Sequence, residues 1–301
     1  MSSPVASPAE KSDSPKRKRG WWRLLQFRLR TLLLLTTVVA IWLGWLLYSA
    51  HQRREAVAAL RKAGADISYD FQFRNHRQKE PHYWPAWLVN SLGVDCFAHV
   101  WSVSLGGDAG LEHVKDLTSL KYLYLDDTQV TDAGLEHLKD LTSLISLSLG
   151  NTQVSDAGLE HLKGLTSLQQ LWLDNTQVTD AGLEHLKGLN ALQLLSLGGT
   201  KVTDAGLEHL KDLNALVLLF LNNTQVTDAG VEHLKDLTWL QKLYLHNTQV
   251  TDAGLEHLKD LTSLDILQLK NTQVTDAGVA RLQESLPNCY IVPVRLAHPS
   301  D

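Results

Sequence analysis

Seven histidines, His113, His137, His161, His185, His209, His233 and His257, recur at one place in the chain's 24-residue period, inside Glu-His-x-Lys. A column of imidazoles is the arrangement that a metal site or a proton sensor would use. Their surroundings argue against it. The flanking Glu and Lys place them on a solvated helix face, and duplication of a unit copies any residue whether or not it acts. The two cysteines, Cys96 and Cys289, bracket the repeats. With strands about 4.8 Å apart, seven turns separate them by roughly 35 Å, whereas a disulfide needs Cα atoms within about 7 Å. They are expected as buried thiols in the end caps. A nucleophile beside its base, a metal cluster and a glycine-rich phosphate loop are all missing from the pattern. No enzyme, no cofactor and no metal are therefore expected. The chemistry that remains is that of a surface.

That surface is carried by a repeat. From Leu117 to Glu284 a 24-residue unit restarts at Leu141, Leu165, Leu189, Leu213, Leu237 and Leu261, and a fixed period of this size means stacked units that each need neighbours on both sides. Leu123-x-Leu125 has strand periodicity, while Leu135, Leu138 and Leu141 have helical spacing, so each turn is one strand, a corner and one helix. Thr131-Asp132 opens the helix as N-cap and first-turn acid. The device returns at Ser155-Asp156, Thr179-Asp180, Thr203-Asp204, Thr227-Asp228, Thr251-Asp252 and Thr275-Asp276. Val100 to Leu105 repeats the same apolar spacing but lacks four residues before Asp108, which predicts a shortened eighth turn.

The pattern L-x-x-L-x-L-x-x-T-x-V-T-D-A-G-L resembles the leucine-rich repeat in its helix-containing form. The anchor described below, the helix start at Gln52 to Val57 and the ending Leu286-Pro287-Asn288-Cys289-Tyr290-Ile291 resemble membrane-anchored bacterial leucine-rich-repeat proteins. The resemblance implies an α/β fold: a right-handed solenoid with a parallel sheet on its concave side and helices on its convex side, used to bind proteins. One departure is Thr128 and its equivalents Thr152, Thr176, Thr200, Thr224, Thr248 and Thr272, where the commonest pattern has Asn or Cys. A hydroxyl there is expected to bond the backbone of the corner and so preserve the ladder.

Side chains alternate along a strand, so the residue between the two buried leucines faces outward: Ser104, Tyr124, Ser148, Trp172, Ser196, Phe220, Tyr244 and Gln268. Two places earlier stand Tyr122, Ser146, Gln170, Leu194, Leu218, Lys242 and Ile266. Two places later stand Asp126, Gly150, Asp174, Gly198, Asn222, His246 and Lys270. This face is apolar and aromatic at its centre, acidic toward the first turns and basic toward the last, as protein interfaces are built. The expected binding residues are Tyr122, Tyr124, Trp172, Leu194, Leu218, Phe220, Lys242, Tyr244 and His246, with a protein as partner. Stacking of a carbohydrate or cell-envelope glycan on the same rings is the second reading. An intracellular adaptor of the ubiquitin-ligase substrate-receptor type is the third.

The N-terminus adds a membrane. Residues 1–30 carry a net charge of +6 and the remainder −11, a basic end on an acidic body, which speaks against nucleic acid as partner of the array. Thr31 to Ala50 is free of charge and long enough, at about 30 Å, to cross the hydrocarbon layer. Trp21 and Trp22 flank one end; Trp42, Trp45 and Tyr48 mark the other. Seven Lys/Arg precede the span against four just beyond it, which predicts a cytoplasmic N-terminus and exported repeats, single-pass in the cell membrane. A cleaved signal peptide fits less well, because Tyr48 spoils the small-x-small cleavage pattern. The expected organisation is a disordered tail at 1–19, an anchor at 20–50 and a membrane-proximal module and N-terminal cap at 51–96. Repeats follow at 97–284, then a C-terminal cap and tail at 285–301. Within 51–96 the sequence predicts a helix from His51 to Gly64, a strand from Ala65 to Phe71, a loop from Arg74 to Pro81 and a short helix from Pro85 to Leu92.

Overall fold

The computed structural model describes residues 19–70 and 98–292. The expected disordered tail, the loop and second helix of the membrane-proximal module, Cys96 and the residues after Val292 lie outside the described residues.

The chain divides into two units, 1–50 and 51–301. In the first, a helix (α1, Arg19–Lys62) begins. Its segment from Thr31 onward is long and apolar enough to cross a membrane by length and composition, and Leu32 to Leu35, Val38, Ile41, Trp42 and Trp45 are exposed. Thr36 and Thr37 return their hydroxyls to the carbonyls of Leu33 and Leu34, which satisfies these polar groups inside the helix.

The second unit is a ten-stranded sheet in strict chain order. Strands β2 (Val100–Ser104), β3 (Tyr122–Tyr124), β4 (Ser146–Ser148), β5 (Gln170–Trp172), β6 (Leu194–Ser196), β7 (Leu218–Phe220), β8 (Lys242–Tyr244), β9 (Ile266–Gln268) and β10 (Tyr290–Val292) run parallel. The register advances by 24 residues from β3 to β9, so the predicted rows are real rows: Tyr122, Ser146, Gln170 and onward stand side by side. Strands β2 to β9 each lead to a helix, short in all but the last, such as Asp180–Leu183 followed by a 3-10 turn at Glu184–Leu186. Between strands and helices one apolar column runs through the unit, with Leu171, Leu195, Leu219 and Leu243 wholly buried. Each such leucine contributes about 1.5–3 kcal/mol on burial, and none could be buried by a lone turn.

Both caps follow from the edges they cover. The helix end that packs on the first turn buries Ala56, Val57 and Leu60 and stops at Gly64, whose φ of +84° suits glycine. The next strand, β1 (Asp66–Tyr69), is shorter than its predicted range and pairs antiparallel to β2. At the other end the last helix lengthens to Asp276–Ser285, and Leu282, Leu286, Cys289 and Ile291 close the column. The Gln283 amide donates to the carbonyls of Leu286 and Cys289 there. Cys289 is a buried free thiol as expected, and burial, with Asp265 nearby, pushes its pKa to about 11.

The shortened turn is also real, since β2 pairs in register with β3 and Asp108 takes the place of the later helix-opening aspartates. Those aspartates do more than the sequence predicts. Asp180 lies in the first turn of its helix, yet its carboxylate accepts the Thr203 N–H at 2.7 Å and the Thr203 hydroxyl at 2.6 Å, one turn further on. Among the described residues, seven such links join Asp108–Thr131, Asp132–Ser155, Asp156–Thr179, Asp180–Thr203, Asp204–Thr227, Asp228–Thr251 and Asp252–Thr275. The glycine of Thr-Asp-Ala-Gly is explained by the same link: a Cβ at Gly206 would land on the Asp180 carboxylate.

Thr176 and its equivalents bond the backbone of the corner as expected, but they do not form a ladder between turns. The Thr176 hydroxyl donates to Leu173 O at 2.7 Å, three residues back in its own turn, so it braces the corner without joining turns. The side-chain ladder at this corner belongs instead to the neighbouring position, Asp127, Asn151, Asn175, Gly199, Asn223, Asn247 and Asn271, all at φ between +55° and +70°. Asn175 donates to Asn151, and Asn271 to Asn247. Gly199 interrupts the row.

Candidate functional site

The sheet has one face in the core and one turned outward, and the outward rows carry the predicted residues. Tyr124 is exposed, at 42%. Tyr122, Trp172, Leu194, Leu218, Phe220, Lys242, Tyr244 and His246 are all half-buried. The structure brings three of the rings together. Phe220 and Tyr244, on adjacent strands, stack at 4.3 Å between centroids with 20° between planes. Trp172 and Phe220 lie two strands apart, about 9.6 Å from strand spacing alone, yet their centroids are 5.8 Å apart. The rings therefore lean toward one another above Ser196, which retains 1% of its exposure. Tyr122 does not join this group; its ring packs on Trp101 at 5.7 Å.

Alternation of large and small residues shapes the face. Ser148 and Ser196, predicted to face outward, are buried, along with Ser146, Gly150 and Gly198. The reason is that their neighbours bend over them. Ser148 donates its hydroxyl to Asp126, which also accepts the Gly150 N–H at 3.0 Å, and Ser196 donates to Asp174. Strands β4 and β6 are thus low, and β3, β5, β7 and β8 stand high.

Charge is graded along the strand order. Asp126 and Asp127 are exposed and Asp174 is half-buried in the first turns; Lys242 and Lys270 lie in the last. Burial, then Tyr122 and Asp126, raise the Tyr124 pKa. Burial and the Lys270 charge lower that of His246; its buried Nδ1 has no hydrogen-bond partner.

Sequence reasoning missed two features. One is the Asn row beside the face, whose signal was visible as Asp, Asn or Gly at every 24th position, the residue types that tolerate left-handed backbone. The other is Trp239, 65% exposed where other turns carry Ser or Ala. The histidine column departs from its expectation in part: the imidazoles are half-buried, and Nδ1 of His185 and of His209 is withdrawn from water without a partner. No cluster of three or more His, Cys, Asp or Glu able to hold a metal occurs among the described residues.

Parallel strands of one register, each returning through a short helix and joined by repeated side-chain links, define a stacked-turn solenoid. Its family is also found by comparison. A leucine-rich-repeat model in two copies matches residues 142–188, and a single-repeat model matches residues 116–139; the chain is a leucine-rich-repeat protein. No curated protein matches it. Among solved structures it is similar to an internalin C2 of Listeria monocytogenes, with 28% identity and a TM-score of 0.52, covering 64% of this chain and 81% of that one. It is also similar to an internalin (inlF) of the same species, with 28% identity and a TM-score of 0.49, covering 60% of this chain. The chain spans 56% of that second protein's length.

Proposed function

We propose that this chain is a single-pass membrane protein of a bacterial cell whose exported solenoid binds another protein through the outward, concave face of its sheet. The observation that carries the reading is the run Trp172, Phe220 and Tyr244 on a face otherwise open to water, flanked by acidic and basic ends. A solenoid offers an extended surface on which binding energy concentrates at aromatic anchors. Thr31 to Ala50 is the membrane span, the basic residues before it hold the N-terminus in the cytoplasm, and residues 51–70 cap the first turn.

Replacing Trp172 and Phe220 together by Ala is the test: capture of the partner in detergent extracts weakens by about a hundredfold, on the scale of two anchors at 1–2 kcal/mol each, while the melting curve is nearly unchanged. Unaltered capture overturns the assignment of this face. Protease treatment of intact cells digests the repeats and spares the N-terminus; protected repeats would point to the intracellular adaptor. The glycan reading is weakened by the rings themselves, since Phe220 spends its faces on Trp172 and Tyr244 and leaves little open ring for a sugar to cover. Glycan-array binding that is lost with Trp172 would restore it.

A further inference from the structure

We infer that the partner lays an acidic, extended protein segment on the last turns of the outward face, with carboxylates at Lys242 and Lys270 and an apolar side chain between them on Tyr244. The inference rests on the protein-binding reading above and names the chemistry of that partner.

Two observations set the basic end of the face apart from the acidic end. The first is pairing. Asp126 accepts the Ser148 hydroxyl and the Gly150 N–H, Asp127 accepts the Asn151 amide, and Asp174 accepts the Ser196 hydroxyl. The acids are thus engaged in holding the next turn. By contrast, the ammonium groups of Lys242 and Lys270 have no ion-pair or hydrogen-bond partner among the described residues. Lys139, Lys163, Lys211 and Lys235, on the helix side, each stand 3.5 Å from the glutamate three residues earlier. The second observation is position in the period. The helix lysines are copied with the unit, whereas Lys242 stands where other turns carry Tyr, Ser, Gln, Leu or Ile, and Lys270 where they carry Asp, Gly, Asn or His. Duplication does not account for these two cations. They also lie on a body whose net charge outside residues 1–30 is negative.

The spacing of the face sets the form of the segment. Lys242, Tyr244 and His246 follow one another along β8 at intervals of about 6.6 Å, twice the rise per residue of a strand. An extended peptide presents every second side chain at the same interval. A segment of the pattern acid-x-apolar-x-acid therefore sets one carboxylate at Lys242, its apolar residue at Tyr244 and its second carboxylate at His246 and Lys270. The last two adjoin, since the Lys270 charge acts on the imidazole. Leu218 and Ile266 flank Lys242 on the adjacent strands, and Phe220 stacks on Tyr244. Apolar groups between and beside the cations select a protein segment, because a polymer of phosphates or sugars brings charge without apolar side chains. In this arrangement the lysines set register and steer approach, while the rings supply contact area.

The test is selection from a display library of random short peptides on the full-length chain in detergent. Enriched peptides carry Asp or Glu two positions to either side of an apolar residue. For a synthetic peptide of the enriched sequence, Lys242→Glu with Lys270→Glu lowers the affinity by about tenfold or more. The same peptide with both acids changed to lysine binds the double variant in preference to the native chain. Melting curves accompany the variants, and Lys270→Glu, at an exposed position, carries the test alone if the double variant unfolds. Enriched peptides that are basic or uncharged overturn the inference, as does a selection that enriches none. Acidic peptides whose affinity the lysine substitutions leave unchanged are held elsewhere, on the basic N-terminus for example, and overturn it too. Heparin, an anionic polymer without apolar side chains, is the counter-probe. If heparin binds through the two lysines while no peptide is enriched, the basic end belongs to a polysaccharide and the inference falls. Peptides without acids that still lose binding on Trp172→Ala and Phe220→Ala overturn the acidic segment and leave the protein-binding reading standing; if no peptide responds to either pair of substitutions, both fall.

Discussion

The helix-side corner and the outward sheet face are built from the same seven turns, yet they are opposites. At the corner each turn repeats one solution: an aspartate reaches forward, a threonine or serine receives it with its N–H and hydroxyl, and a glycine leaves room. On the sheet face the backbone repeats with the same fidelity, but no two adjacent strands carry the same three outward side chains. Sameness at the corner is what stacking needs, since each turn meets its neighbour through one interface. Difference on the face is not what stacking requires, although a few of its side chains do link neighbouring strands. That contrast is the reason to place recognition on the strands and stability on the column and corners.

The contrast can be broken by single substitutions. The largest expected effect is in the column: Leu195→Ala leaves a cavity among wholly buried leucines and costs about 2–5 kcal/mol, measured by denaturant unfolding. Trp172→Ala, one strand away on the outward face, changes the unfolding midpoint little. If the two destabilise equally, the division between scaffold and face is wrong.

At the corner, Asp180→Ala strands the Thr203 N–H and hydroxyl and costs about 1–3 kcal/mol. Asp180→Asn retains one acceptor and costs less. Ala at Gly206 costs a comparable amount, because its Cβ displaces the same carboxylate. Stability equal to that of the unsubstituted chain in all three variants, read in thermal melts, would show that the links between turns are incidental.

Acid sharpens the comparison at the last link. Two hydrogen bonds from Thr275, then the Arg281 charge at 3.1 Å, hold the Asp252 carboxyl below its ordinary value. Its contribution is fully present above the ordinary carboxylate range and is lost as pH falls through the depressed folded value. Hydrogen exchange of the terminal helix Asp276–Ser285 therefore quickens as pH falls into that window, after correction for intrinsic exchange, and Asp252→Asn removes the dependence.

The smallest effect is expected where the Asn row is interrupted. Gly199 already has the left-handed backbone that Asn adopts in neighbouring turns, and Asn175 leans into the space a side chain would take. Gly199→Asn completes the row and stabilises the array by about 0.5 kcal/mol, through restored side-chain bonds and a less flexible unfolded chain. A loss of stability in the same denaturation assay would mean that the gap relieves crowding.

Much of this was legible in the residues. The 24-residue period fixed the strand, corner and helix of every turn, the shortened turn before Leu117 and the identity of the outward rows, because a periodic apolar pattern has one way to bury itself in a stack. The apolar span from Thr31 was equally plain from its composition. Less legible were bonds that join residues 23 or 24 apart. Asp180 and Thr203 look like two separate helix caps in the chain and become partners only when the turns stack. Thr176 and its equivalents brace the corner backbone as expected, but the ladder between turns belongs to Asn for a related reason: which polar group reaches the next turn depends on the backbone angle at the corner, and the residue at positive φ is the one aimed across.

The amino-acid sequence by itself determined that the chain repeats, what each turn contains and which side chains leave the core, since these depend on composition and local period. Only the tertiary structure decided how those side chains use one another. The gathering of Trp172, Phe220 and Tyr244, the burial of Ser148 and Ser196 beneath their neighbours, and the transfer of each aspartate to the following turn all depend on the spacing between strands and on which rotamers neighbouring side chains leave open.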